Sequence, residues 1–288
     1  MTLQTTHPSL DALVEEIAEF RPLPPIAAQV LQIAEGETFS AHELAQAISS
    51  DPALTARVLR VANSAYFGFP RRIITVRDAV VLLGFRQVRA TALAACALSA
   101  LPTGGTIDPR PLWQHAITVG LVAELLARST RRHVEEAFTA GVLHNIGRLA
   151  LDQARPAEFR AALTLARREG LPLHQAQAAL LGYTDAEVGG ALALRWAFPE
   201  ELALAIAHHA RPISILSDQD SLAAMVVRAR DFTAGQGITD GVEPPPLEVP
   251  RSCAHTAATV TPVMEHGGGF DALLTRAASF IEHTAVGV

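Results

Sequence analysis

The sequence predicts an all-α protein. Hydrophobic residues occupy 49% of the 288 positions and are mostly Ala, Leu and Val, while aromatic residues occupy only 5%. This balance favours helices over strands. Helix start signals recur, because Asp51 precedes Pro52, and Thr75 and Thr184 each stand three residues before an acidic side chain. Between these signals, apolar residues return at the helical spacing of about 3.6 residues.

The segment 1–105 is typical of a series of short helices that form an N-terminal helical subdomain. Its last helix, expected over 85–101, is apolar on nearly every side and should therefore be buried at the centre. The stretch 102–111 contains three prolines and two glycines. Because proline and adjacent glycines interrupt a helix, we place a domain boundary there.

The segment 106–215 predicts a helical bundle on which the N-terminal subdomain packs. Helices are expected over 112–129, 134–144, 156–169, 185–196 and 199–209. The segment 216–288 carries weaker signals, with helices expected near 221–232 and 270–283. We interpret it as a C-terminal extension that completes the bundle.

Charge and cysteine content exclude several classes of protein. The formal net charge is -6, which disfavours a nucleic-acid partner, because phosphate neutralisation needs clustered positive charge. The two cysteines, Cys96 and Cys253, are too few for a disulfide framework and favour a reducing compartment. Every apolar run is interrupted before membrane length, so we expect no membrane insertion and a cytoplasmic location.

Candidate metal ligands fall in the second half of the chain. Helical bundles build metal sites from histidine and carboxylate groups that several helices bring together. Each histidine taken singly is more often structural, so only the combination points to a site. Neighbouring residues on a helix point about 100° apart, so one residue of the pair 208–209 can face such a site. The candidate set is His115, His144, Asn145, Asp231 and His208, with His209 as the alternative to His208.

A second candidate site is the loop 63–72, where aromatic side chains stand beside paired arginines. Tyr66, Arg71 and Arg72 could hold an anionic ligand by stacking and by phosphate contacts. Arg86 and Arg89, three residues apart on the following helix, would extend this patch. The alternative, in which the aromatic side chains fill the core and the arginines are solvated, stays open.

A series of motifs runs through residues 20 to 215: LPPI at 23–26, ISSDPALTARVLRVANSA at 48–65, DAVVLLG at 78–84, LWQH at 112–115, EEAFTAGVLHNIGRL at 135–149, EVGGAL at 187–192, RWAFP at 195–199 and the histidine pair at 208–209. In this combination the chain resembles the HDOD family. The resemblance implies an all-helical fold related to the HD-domain phosphohydrolases and to the HD-GYP enzymes that cleave cyclic di-GMP.

The resemblance also implies which residues would have held metal. HD enzymes bind metal through a histidine, a His-Asp pair and a later aspartate, which match His115, His144 with Asn145, and Asp231. Asn145 departs from that pattern, because its amide offers a neutral oxygen that neither neutralises a cation nor acts as a base. Asp185 also stands where related sequences often carry a histidine. Hydrolysis is therefore disfavoured, and no cofactor is expected beyond a residual divalent metal.

HDOD proteins are generally regarded as regulatory, so the resemblance implies a non-catalytic bacterial signalling module. We expect it to bind other signalling proteins, with a small ligand as an optional switch, and a homodimer is allowed. Two alternatives stay open. One is a metal-dependent phosphohydrolase acting on a nucleotide or cyclic dinucleotide, and the other is a receptor that binds a cyclic dinucleotide.

Overall fold

A computed structural model describes residues 9–33, 40–63, 69, 72–101, 105–133, 136–243, 251–266 and 268–284. Within these ranges every regular element is a helix and none is a strand. The predicted fold class is therefore confirmed. The described ranges also contain no helix that combines the length and the apolarity needed to cross a membrane.

The N-terminal helices are mostly short, and those that begin at Pro52, Val76 and Phe85 start where the sequence indicates. They are α1 (Leu10–Phe20), α2 (Pro25–Gln32), α3 (Ser40–Ser49), α4 (Pro52–Ala62), α5 (Val76–Leu83) and α6 (Phe85–Ala100). The Asp51 carboxylate accepts hydrogen bonds of 2.9 Å from the amides of Ala53 and Leu54 and so caps α4. Thr75 caps α5 in the same way, by accepting a hydrogen bond from the amide of Asp78.

The central helices are α7 (Pro109–Thr130), α8 (Glu136–Leu143), α9 (Ile146–Ala154), α10 (Pro156–Glu169), α11 (Leu173–Leu181), α12 (Asp185–Arg195), α13 (Glu200–His208) and α14 (Leu222–Gly235). Helix α7 was expected to begin at residue 112, which is three residues after its actual start at Pro109. Asp108 caps the amide of Arg110, and Pro109 occupies the first helical position, where a missing amide costs nothing. The capping box of Thr184 and Glu187 is confirmed at the start of α12.

Glycines allow the backbones of the central helices to approach closely. A Cβ atom on Gly141 of α8 would lie 2.5 Å from the Cα atom of Gly120 on α7. A Cβ atom on Gly147 of α9 would lie 1.9 Å from the backbone oxygen of Asp185 and 2.3 Å from the amide of Gly189 on α12. These contacts set the positions of α8 and α9, whose junction carries His144 and Asn145.

The predicted boundary between the first two segments is held by a buried carboxylate. Asp152 on α9 is 2% exposed and accepts hydrogen bonds from the amide and hydroxyl of Thr106 and from the amide of Ile107. A Cβ atom on Gly105 would collide with this carboxylate. The segment 105–107 is therefore fixed against the bundle, while 102–104 lies outside the described residues.

One hydrophobic core runs through all three predicted segments and includes Leu44, Leu143 and Val260. The last helices are α15 (Arg251–His266) and α16 (Gly269–Thr284). The first of these was not predicted from the sequence, whereas the second matches the expected helix near 270–283. Helix α16 packs against both α7 and α4 and so joins the bundle to the N-terminal helices. The division at residues 105 and 215 stays a prediction.

Candidate functional site

Three histidines from different helices meet in the core of the bundle. His115 lies on α7, His144 follows α8, and His209 follows α13. The ring centroids of His115 and His144 are 5.4 Å apart, and those of His144 and His209 are 5.0 Å apart. All three residues are at most 5% exposed. We call these three residues the histidine cluster.

Backbone carbonyl oxygens fix the tautomer of each ring in the histidine cluster. Nδ1 of His115 lies 2.9 Å from the oxygen of Ile238, and Nδ1 of His144 lies 2.6 Å from the oxygen of Gly141. Nδ1 of His209 lies 2.7 Å from the oxygen of Ile206. A carbonyl oxygen only accepts, so each Nδ1 carries the proton, and Nε2 of each neutral ring is left as an acceptor.

Burial keeps the histidine cluster uncharged. It lowers the pKa of His115 and of His209, and lowers the pKa of His144 well below its ordinary value. For His144, the neighbouring imidazoles of His209 and His115 add to the effect of burial. A ring with so low a pKa is a weak base. In the part of the chain that the structure describes, Nε2 of His144 is buried and has no hydrogen-bond partner.

The structure brings His209 into the cluster, and it leaves His208 half-buried outside it. His208, which the sequence analysis placed in the candidate set, is therefore the residue of this pair that lies outside the histidine cluster. The rule that only one of two neighbouring residues can face a site holds, but the sequence alone does not fix the rotation of α13.

Arg148 on α9 is the charged group that organises the pocket beside the histidine cluster. It is 4% exposed. Its Nε atom donates a 2.6 Å hydrogen bond to Asp185, its Nη1 atom donates to Asp240, and its Nη2 atom lies 3.2 Å from Glu243. Burial lowers the pKa of Arg148, but Asp185 and Asp240 outweigh that effect and raise it well above the ordinary value. The guanidinium is therefore a permanent charge.

Two of the partners of Arg148 come from segment 238–243, which follows α14 and which we call the strap. The oxygen of Ile238 accepts from His115, and Asp240 and Glu243 accept from Arg148. Glu243 also accepts a 2.9 Å hydrogen bond from the amide of Leu173. The strap thus crosses from α7 over α9 to the start of α11.

Asn145 offers no charged ligand, and the carboxylate of Asp231 forms an ion pair with an arginine. Asn145 is 5% exposed and lies at the N-cap of α9, where its side chain makes no capping hydrogen bond. The Asp231 carboxylate lies 2.7 Å from the guanidinium of its neighbour Arg230. The charges of Arg148, Arg230, Asp185 and Asp240 contribute to the shifted pKa values of the three histidines.

These residues do not fit a divalent ion as HD enzymes would hold it. The three Nε2 atoms have the tautomer that a metal needs, but position 145 offers a neutral amide where HD enzymes have a carboxylate. The two buried carboxylates near the rings, Asp185 and Asp240, are both bound to Arg148. Among the described residues, no group of three or more His, Cys, Asp or Glu side chains is arranged to hold a metal ion.

The second candidate site is only partly described. Tyr66 and Arg71 lie outside the described residues, while Arg72 and Arg86 are exposed. Arg89 has a structural role, because its guanidinium donates hydrogen bonds to the backbone oxygens of Val30 and Leu31 at the end of α2. Of the predicted patch, Arg72 and Arg86 therefore remain as candidates for contact with an anionic ligand.

The sequence interpretation missed Arg148, Asp240 and Glu243 as parts of the site. Arg148 stands in the same motif as His144, and that nearness in the sequence is a usable signal, although a turn at 144–145 separates His144 from α9. Asp240 and Glu243 lie 92 and 95 residues further along the chain in a segment without helical periodicity. No local pattern marks them.

The fold and the site define an all-helical protein with a buried cluster of histidines and an arginine beside it. A sequence profile of the HDOD domain matches residues 21–212. The chain belongs to the HDOD family.

The chain is also similar to solved structures and to a curated protein. A Shewanella amazonensis protein, whose name proposes a phosphohydrolase, is 28% identical with a TM-score of 0.73 over 95% of this chain and 98% of that one. An HDOD domain protein of unknown function from Geobacter sulfurreducens is 26% identical with a TM-score of 0.71 over 95% of each chain. An uncharacterised Treponema pallidum protein is 28% identical over 211 residues, which are 72% of this chain and 41% of that protein. This chain thus matches less than half the length of that relative.

Proposed function

We propose that this chain is a non-catalytic regulatory HDOD module that acts by binding other signalling proteins. The observation that carries the proposal is the pairing of Arg148 with Asp185 and Asp240, which engages the two buried carboxylates beside the histidine cluster in ion pairs. Metal-assisted hydrolysis needs an ion that lowers the pKa of a bound water, or a base that accepts its proton. The three imidazoles are poor bases because burial lowers their pKa values.

Exposed apolar side chains support a role in protein contacts. Ile74, just before α5, and Val81 and Leu82 on α5 are 72%, 76% and 51% exposed. Apolar side chains grouped on a surface are typical of interaction sites. Cys96 and Cys253 are buried and form no disulfide, which suits a reducing compartment, so a cytoplasmic location is part of the proposal.

The test is a screen for hydrolysis of phosphomonoesters, nucleotides and cyclic dinucleotides by the purified chain with added Mn²⁺. We expect no turnover above that of the His144→Ala variant, which serves as the matched control. Turnover by the unaltered chain that disappears in His144→Ala would show that the module is an enzyme.

The second candidate is a metal-dependent phosphohydrolase. It is supported by the tautomers of the histidine cluster, which leave three Nε2 atoms as acceptors, and by the name of the Shewanella amazonensis protein. Elemental analysis of the unaltered chain and of Asn145→Asp separates it from the first proposal. Bound transition metal together with activity in Asn145→Asp would favour it, whereas neither chain should carry metal if the regulatory proposal holds.

A ligand switch would use the exposed arginines Arg72 and Arg86. A cyclic dinucleotide is the chemistry that we propose for it, because two phosphates and two bases match guanidinium and aromatic groups. Calorimetry with cyclic di-GMP on the unaltered chain and on an Arg72→Gln, Arg86→Gln variant tests this proposal. Heat of binding that the double variant loses supports a receptor, and no heat in either chain refutes it.

A further inference from the structure

The buried charges beside the histidine cluster come from different parts of the chain and meet at one side chain. Asp185 begins α12, whereas Asp240 and Glu243 belong to the strap. Each of these carboxylates contacts the guanidinium of Arg148. We propose that Arg148, and not a metal ion, is the cation that joins these carboxylates and holds the strap against α9 beside His115.

The geometry of arginine suits this role. A guanidinium presents five donors in a fixed plane, so one side chain can serve carboxylates that approach from different directions. Arg148 uses Nε for Asp185, Nη1 for Asp240 and Nη2 for Glu243, one nitrogen for each carboxylate. A lysine ammonium is a single point and cannot reproduce this division.

The shape of the strap depends on one of these carboxylates, Asp240. The second oxygen of Asp240 accepts hydrogen bonds of 2.9 Å from the amide of Val242 and 3.2 Å from the amide of Glu243. Gly237 and Gly241 have φ values of 81° and 77°, which only glycine adopts without strain. The strap is therefore a turn built around Asp240, with a flexible position before and within it.

The strap is also attached at both ends, independently of Asp240. Its first residue, Ile238, accepts from His115, and its last residue, Glu243, accepts from the amide of Leu173. Arg148 contacts the strap at Asp240, which lies between these two attachments, and at Glu243 itself. Removal of the cation should therefore loosen the middle of the strap first.

Hydrogen exchange of the full chain, read at the amides of Val242, Glu243 and Leu173, tests the proposal. In Arg148→Met these amides should exchange at least about tenfold faster, because the local opening no longer has to break the ion pairs. Arg148→Lys should be nearly as fast. Arg155→Met is the matched control: it removes another ion pair, with Glu16, that does not touch the strap, and should leave the three amides unchanged.

A comparison with and without metal ions tests the proposal on the unaltered chain. The melting temperature and the exchange of the three amides should be the same after EDTA treatment and after addition of MnCl₂ or ZnCl₂. If Arg148→Met does not fold, Asp240→Asn replaces it, because this change keeps an acceptor for Val242 and Glu243 while it removes the charge facing Arg148.

Two results would overturn the inference. One is protection of the strap that EDTA abolishes and Mn²⁺ restores in the unaltered chain, and the other is unchanged exchange in both Arg148→Met and Asp240→Asn. Neither result decides whether the module hydrolyses a phosphoester, which the turnover screen with the His144→Ala control measures separately. Failure of this inference is therefore distinguishable from failure of the proposed regulatory function.

Discussion

The Nε atom of Arg148 donates a 2.6 Å hydrogen bond to the Asp185 carboxylate, and the two side chains are 5% and 1% exposed. Burial raises the pKa of Asp185, but the charge of Arg148 outweighs burial and holds that pKa below its ordinary value. The pair joins α9 to the start of α12, where Gly147 already brings the two backbones together. Stability and pocket electrostatics therefore depend on the same contact.

Asp185→Asn should lower the free energy of unfolding by about 3 kcal/mol, because breaking a buried ion pair leaves a charge without full compensation. Urea unfolding followed by circular dichroism measures the change. The control is Asp218→Asn, which weakens the pair of Asp218 with Arg132, whose side chains are 51% and 48% exposed. That variant should be indistinguishable from the unaltered chain. Equal losses in both variants would contradict this account of Arg148.

Stability should fall as the pH drops below about 6.5, the pKa of an unfolded histidine. The folded pKa values of His115, His144 and His209 are lowered, so below that pH the unfolded chain binds more protons than the folded one. Each such proton removes about 1.4 kcal/mol per pH unit. The folded pKa values of Asp185 and Asp240 are also lowered, so the stability that these carboxylates contribute should be lost only below about pH 4.

Urea unfolding at several values between pH 7.5 and pH 5 measures this slope. His144→Asn keeps a donor near the oxygen of Gly141 but cannot take up a proton, so its slope should be smaller by about one proton. A free energy of unfolding that is constant over this range would show that the histidine cluster is not kept neutral by burial.

Gly147→Ala should destabilise the fold by about 3 kcal/mol or prevent folding, since the new Cβ atom would lie 1.9 Å from the backbone oxygen of Asp185. Gly170→Ala is the matched control. Gly170 has a φ of 66° and open space around it, so only backbone strain of about 1 kcal/mol is expected. Thermal unfolding of both variants compares the two costs, and a larger loss in Gly170→Ala would refute the close packing of α9 on α12.

Neither cysteine should react with a thiol reagent in the folded protein. Cys96 is 2% exposed and Cys253 is 5% exposed. Burial raises the pKa of the Cys96 thiol to about 12, and the thiolate is the reactive form. Titration with a chromogenic disulfide should detect no thiol in native buffer and both thiols in urea. Rapid labelling of Cys96 without denaturant would place α6 closer to the surface.

The helical class and most helix starts could be predicted because they depend on local chemistry. The carboxylate of Asp51 and the capping box at Thr184 act on amides two or three residues away. Helix α15 was missed because Pro262 stands inside it and the segment lacks a clear start signal. Residues 146–154 were not separated as a helix, because the turn at Asn145 has no glycine or proline to mark it.

The histidine cluster was predicted in part. His115 and His144 meet as expected, but the rotation of α13, which selects His209 over His208, is set by packing of Leu202 and Ile206 in the core. Arg89 was expected in a ligand patch, and it binds instead the end of a helix nearly 60 residues earlier. Such choices depend on tertiary contacts, which a single sequence does not display.

The distance along the chain between Arg148 and its strap also has a consequence for biosynthesis. Asp240 lies 92 residues after Arg148, so a nascent chain that ends before the strap has already formed the helix bearing the guanidinium but lacks two of its three carboxylates. Contacts between such distant residues form late in folding. The interior of this protein is thus completed only after the strap has been synthesised, and premature termination just after α14 would leave Arg148 with Asp185 as the one remaining carboxylate of the three.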